Sequence, residues 1–162
     1  MAKLDTKPDK LLAIAFVLGQ AVILLLLLFT NISFNVRVLK LGGLGIILES
    51  LGVIGILISA YSIRTSLTAL PLPKDHGKLA TDGLYRYVRH PMYTSVLVFA
   101  LGLAVSSGEP YKYLLFICLT ILFVYKSKYE EFYLAIKYAN YHQYANKTPK
   151  FIPLPKHQKI AK

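Results

Sequence analysis

The chain has 162 residues, 55% of them hydrophobic, with no tryptophan and a mean hydropathy of +0.50, which is too apolar for a soluble domain of this size and leaves one membrane domain as the natural reading. Nineteen Lys and Arg against eight Asp and Glu give a formal charge of +11, but in so apolar a chain basic residues mark a membrane face rather than a nucleic-acid surface. The single cysteine, Cys118, lies in an apolar run, so one chain can build neither a disulfide framework nor a cysteine metal site, and no metal is expected.

The N-terminal 30 residues begin like a secretory signal, with lysines ahead of an apolar core, yet that core is long and lacks a small-x-small cleavage site. An uncleaved first span over about 11–30 is predicted, since a helix of that length rises ~30 Å, the thickness of a hydrocarbon core. A second span follows at about 41–63, carrying several glycines and one acid, Glu49. Gly45, Glu49 and Gly52 share a helix face, so Glu49 is expected to point inward, protonated or hydrogen-bonded, in a structural role rather than in substrate or proton handling. A polar loop, 74–91, separates this span from two shorter apolar runs at about 92–107 and 111–126, joined through Ser107-Gly108-Glu109-Pro110. That turn chemistry predicts a helical hairpin, either spanning or re-entrant. From Lys126 to Ala145, Tyr129, Phe132, Tyr133 and Ile136 recur at helical spacing among charges, the pattern of an amphipathic interfacial helix that either stands alone or continues the last span. The prolines from Pro149 onward stop it, and 127–155 is assigned as an interfacial segment. The predicted fold is therefore an all-α integral membrane domain over 1–162, with about four transmembrane helices, the last two a short hairpin, plus a cytoplasmic amphipathic C-terminal helix. Sixteen of the nineteen basic residues fall on alternate segments, which puts both termini and the 74–91 loop on the cytoplasmic side.

Two clusters carry the chemistry. Arg89-His90-Pro91 precedes the third apolar run, and proline suits the first position of a helix because its missing N–H has no partner there anyway. The free amides of that turn, the helix dipole and the Arg89 guanidinium suit an anion, or else mark an interfacial anchor. The second cluster is Glu130-Glu131, followed by Tyr138, Tyr141, Tyr144 and Phe151-Ile152-Pro153. Taken in order, Gly83, Tyr85, Arg89 to Pro91, Tyr93, a hairpin, Glu130-Glu131, Tyr141 and Tyr144 resemble the isoprenylcysteine carboxyl methyltransferase and phospholipid methyltransferase family of integral membrane enzymes. The resemblance covers about half of the chain, from His76 to Pro153.

What the resemblance implies is methyl transfer from S-adenosylmethionine, with S-adenosylhomocysteine as product, in a pocket made by the loop, the hairpin and the folded-back tail. By that likeness His90, Tyr85 and Tyr93 contact the cofactor, Gly83 permits close backbone approach, and His76, Leu79 and Tyr144 complete the pocket. Arg89 with Glu130 or Glu131 would orient the acceptor and balance charge, and Lys147 is a further candidate contact. The adenine, carboxylate and sulfonium of such a cofactor want aromatic walls, donors and carboxylates respectively, and this chain offers each. Two departures stand out: Ser95 occupies a position often glycine in the family, and Lys137-Tyr138-Ala139-Asn140 replaces a usual Phe-Gly before the tail tyrosines. The implied acceptor is lipophilic or membrane-associated, an isoprenylcysteine-like carboxylate, a phospholipid amine or a thiol, reached from the bilayer. The setting expected is a prokaryotic cytoplasmic membrane. A small ion-coupled transporter built on Glu49, or a catalytically silent membrane subunit, are the competing readings.

Overall fold

The computed structural model describes residues 8–64, 70–73 and 77–153. Five α-helices and one short 3-10 turn account for its regular structure, with no strand among the described residues: α1 (Lys10–Phe29), α2 (Gly42–Ser62), the 3-10 turn (Gly83–Arg86), α3 (Pro91–Ser107), α4 (Pro110–Lys137) and α5 (Tyr141–Lys147). Helices α1, α2 and α4 are long and apolar enough to cross a membrane, while α3, with 17 residues, rises about 26 Å. The all-α membrane fold read from the sequence is the fold observed.

Local chemistry sets each boundary. Asp9 caps α1 by accepting from the amides of Leu11 and Leu12 at 3.0 and 3.2 Å. Gly108 ends α3 at φ 71°, a left-handed conformation that glycine adopts without a Cβ penalty, and Pro110 opens α4 two residues on. The hairpin is thus closed where the turn residues predicted. Helix α4 is longer than the fourth apolar run: it continues without a break to Lys137, so the amphipathic stretch from Lys126 prolongs it rather than standing as a helix of its own. Its 28 residues rise about 42 Å against a hydrocarbon core of roughly 30 Å, which carries its last turns past the apolar layer. The expected continuous helix to Ala145 is interrupted at Tyr138-Ala139-Asn140, after which α5 runs as a separate two-turn piece.

The most extensive helix contact is between α2 and α3, and small residues make it possible. A Cβ on Gly52 would sit 2.6 Å from the Phe99 amide nitrogen, and one on Gly102 would sit 2.7 Å from the Glu49 amide nitrogen. Ser95, the departure from glycine, is accommodated because Gly55 faces it across the seam. Glu49 lies in this seam and accepts a 2.6 Å hydrogen bond from Ser106 Oγ, which satisfies the inward-facing expectation. On the other side of α3, Val96 and Ala100 pack with Leu27 of α1 and with Leu119 and Phe123 of α4 in the buried core. Glu49→Gln, which keeps an oxygen for Ser106, is expected to hold stability within about 1 kcal/mol of the parent, whereas Glu49→Ala strands the Ser106 hydroxyl and costs more. Thermal melting in detergent micelles checks the pair.

Candidate active site

At the end of the bundle where α4 outruns the apolar layer, a cavity of about 360 Å3 is lined by all four long elements and by the segments that flank α3 and follow α4. Leu79, Tyr85, Arg89, His90, Tyr93 and Glu130 contribute to its wall, joined by Lys126, Tyr138, Tyr141 and Tyr144. Glu131 stands immediately behind, 3.0 Å from His90 Nε2.

His90 organises the polar side. It precedes Pro91 at the start of α3, its ring stacks on Tyr93 with centroids 5.2 Å apart, and its Nδ1 lies 3.5 Å from Glu130 Oε2. Tyr93 donates to the same Glu130 oxygen at 2.8 Å. Burial alone would lower the His90 pKa, but hydrogen bonds to Glu130 and Glu131, together with their charges, outweigh it and raise the imidazole above its ordinary value. The ring is therefore an imidazolium over a wider pH range than a solvated histidine. Burial, reinforced by the Glu130 charge, pushes the Tyr85 hydroxyl up, and burial holds Tyr144 at about 12. Both phenols stay neutral donors.

Arg89 serves the architecture of the tail. Its Nε donates to Glu131 at 3.0 Å and its NH1 to the carbonyls of Ala145 and Thr148 at 2.6 and 2.9 Å. The amides of Arg89 and His90 donate to the carbonyls of Pro149 and Lys150, and Thr94 Oγ1 to that of Phe151. The Arg89 guanidinium, read from sequence as suited to an anion, is taken by this strap of tail backbone, as are the two amides just ahead of α3. Glu131 completes the clasp by accepting from Lys150 Nζ at 2.8 Å.

The remaining sequence candidates divide. Leu79, Tyr85 and Tyr144 line the cavity, and Tyr144 also donates to the Tyr85 carbonyl at 2.6 Å. Gly83 is not among the lining residues; its φ of 59° starts the 3-10 turn, and a Cβ there would lie 3.0 Å from Ser62 Oγ. Lys147 is exposed and outside the wall, and the basic residue that reaches the cluster from the tail is Lys150. His76 lies outside the described residues. Sequence reasoning missed Gln20 of α1, which accepts from Lys126 Nζ at 2.6 Å across the cavity, because nothing local to α1 distinguishes it from any polar residue in a span. It also assigned no role to Tyr141 beyond its place in the ordered set; the Tyr141 hydroxyl is buried in the cavity wall with no hydrogen-bond partner among the described residues.

Comparison with known proteins gives relatives and a family. A protein-S-isoprenylcysteine O-methyltransferase of Schizosaccharomyces pombe is 42% identical over 83 residues, covering 50% of this chain and 35% of that protein. Protein-S-isoprenylcysteine O-methyltransferase B of Arabidopsis thaliana is 32% identical over 82 residues, 49% of this chain and 42% of the relative. A probable protein-S-isoprenylcysteine O-methyltransferase of Oryza sativa subsp. indica is 35% identical over 82 residues, 49% and 43% of the two chains. The chain thus matches less than half the length of these relatives, and no solved structure matches it. The description phospholipid methyltransferase fits residues 41–141, from the start of α2 to the start of α5, and on that match the chain belongs to the phospholipid methyltransferase family.

Proposed function

We propose that this chain transfers a methyl group from S-adenosylmethionine to a lipophilic acceptor at the membrane face that carries the cavity, the cytoplasmic face by the distribution of basic residues. The observation that carries the reading is the convergence, on one 360 Å3 cavity, of the 79–93 segment, the end of α4 and the tail tyrosines. That volume falls within the range of small-molecule sites, roughly 300–1,000 Å3. Its chemistry fits the cofactor: phenol faces for the adenine and sulfonium, the Glu130 carboxylate for positive charge, and donors for the carboxylate. The Tyr141 hydroxyl, which has no hydrogen-bond partner among the described residues, is a further donor.

When bound, S-adenosylmethionine supplies an electrophilic methyl on a sulfonium centre. The chain's own residues bind and orient. His90 fixes Glu130 and Glu131 beside each other, Tyr93 stacks on His90 and steadies Glu130, and Arg89 holds the strap that closes the pocket. Positioning of this kind accounts for much of the acceleration available to a direct displacement. Val17, Ile56 and Val96 belong to the apolar part of the wall, where the tail of an acceptor dissolved in the bilayer would lie. The names of the relatives favour an oxygen of an isoprenylcysteine-like group as the methyl acceptor.

Tyr141→Phe gives a discriminating test. Removing a buried hydroxyl that has no partner leaves folded stability unchanged or slightly higher, while a ligand that uses it is bound about tenfold more weakly. Isothermal calorimetry with S-adenosylhomocysteine is expected to show one site in the wild type, that loss in Tyr141→Phe, and no binding in His90→Ala. An absence of binding to folded wild-type protein would overturn the reading. Incubation with an isotopically labelled methyl donor in membranes, followed by mass spectrometry of the labelled product, identifies the acceptor.

A further inference from the structure

Only three basic residues fall on the minority segments of the charge pattern, Arg37, Lys40 and Lys112, and all three line one cavity of about 220 Å3 at the opposite end of the helices from the methyl-transfer site. This end is built rather than frayed. The amides of Val38 and Leu41 donate to the carbonyls of Gly108 and Val105 at 2.9 and 3.0 Å, and the Phe34 amide donates to Glu109 Oε2 at 3.1 Å. Tyr111 and Tyr113 donate their hydroxyls to the carbonyls of Thr30 and Leu39. The segment between α1 and α2 is thereby fastened over the start of α4.

The charges within it do not balance. Glu109 is the one acid of the lining, and it is committed to Arg37 and to the Phe34 amide. Arg37 is further engaged with the Ser107 carbonyl at 2.9 Å and with Ser33 Oγ at 3.3 Å. Lys112, in the first turn of α4, is only 9% exposed, and no described residue offers its ammonium a hydrogen bond or an ion pair. Its stem is covered while the ammonium stays open to the cavity, so the charge is presented there rather than to a protein carboxylate. Lys40 lies beside it with its stem against Gly108, and the positive end of the α4 dipole adds to the surplus.

We propose that this cavity binds a phosphate anion, with Lys112 as its principal partner and Lys40 at its rim. At the rim of a membrane bundle the phosphate comes either from a phospholipid headgroup of the leaflet opposite the methyl-transfer site or from free phosphate in the adjoining water. The inference does not depend on the methyl-transfer reading. The test is a thermal-melting titration of the purified protein in non-ionic detergent and phosphate-free buffer, with phosphatidylglycerol, with a diacylglycerol of the same chains, and with inorganic phosphate. Saturable stabilisation by phosphatidylglycerol but not by diacylglycerol is expected, with half-saturation about tenfold higher in Lys112→Met and partly restored in Lys112→Arg. Stabilisation by inorganic phosphate with the same dependence on Lys112 supports the anion site and assigns it to the soluble source. Equal responses to phosphatidylglycerol and diacylglycerol with no stabilisation by inorganic phosphate, or equal responses of wild type and Lys112→Met, overturn the proposal. Lys40→Met, at an exposed position, tests the same site with the same expected direction should Lys112→Met not fold.

Discussion

Glu131→Ala is expected to destabilise the protein by about 3–5 kcal/mol and to lower methyl transfer at least about a hundredfold. One carboxylate accepts from Arg89 Nε and His90 Nε2 at 3.0 Å each and from Lys150 Nζ at 2.8 Å, so its loss strands three donors at once. Arg89 then no longer has a fixed orientation from which to hold the Ala145 and Thr148 carbonyls, and the strap that closes the cavity is released. Glu131→Gln, which keeps one acceptor oxygen, should fall between the two. The pH profile of stability adds a signature that simple cavity formation would not produce. The folded-state pKa of His90 is raised, so its ion-pair contribution is fully present below the ordinary imidazole value and is lost as pH rises through the raised one. Removing Glu131 takes away part of what raises it and moves that loss to lower pH. Melting temperatures measured across neutral and mildly alkaline pH, with labelled-methyl assays alongside, decide the matter: an Ala variant with wild-type melting behaviour would contradict the clasp.

Gly102→Val is expected to prevent assembly of the bundle. A Cβ at Gly102 would approach the Glu49 amide nitrogen to 2.7 Å and the Gly45 carbonyl oxygen to 2.9 Å, both backbone atoms of a helix that can yield only by moving as a whole. Overpacking at such a point costs about 1–3 kcal/mol for a methylene that neighbours can accommodate, and more where the neighbour is main chain. Separating α2 from α3 also breaks the Ser106–Glu49 hydrogen bond and leaves a carboxylate facing lipid. Gly43, whose Cβ would meet nothing within 4 Å, supplies the control: Gly43→Val should purify as wild type does, while Gly102→Val elutes as aggregate or fails to accumulate in membranes. Monodispersity by size-exclusion chromatography distinguishes the outcomes.

Much of this was legible in the chain because it was local. The uncharged run from Leu11 to Thr30 becomes α1, Gly108 and Pro110 close the hairpin, and Gly45, Glu49 and Gly52 lie on the α2 face that meets α3. The ordered set of Arg89, His90, Tyr93, Glu130 and Glu131 ends up within hydrogen-bonding reach because two helices joined by a tight turn return its members to one end of the bundle. What the sequence concealed depends on contacts without local period. The strap reaches back to Arg89 from Pro149, and Lys126 meets Gln20 from 106 residues away, distances at which spacing carries no information. The break at Tyr138 was equally hidden, since no glycine or proline marks it; there the tyrosine hydroxyl reaches the Gly77 carbonyl at 2.7 Å. Likewise, Arg37, Lys40 and Lys112 read as scattered exceptions to a charge bias until the fold gathers them.

Helix α4 contains neither glycine nor proline after its first residue, so nothing in it invites a kink between Lys112 and Glu131. It is a stiff strut with a cation near one leaflet and a carboxylate clasp at the other. Any axial shift or tilt imposed where it meets one layer of lipid is therefore passed along its length to the opposite surface, which makes the thickness of the surrounding bilayer a mechanical variable of the clasped end.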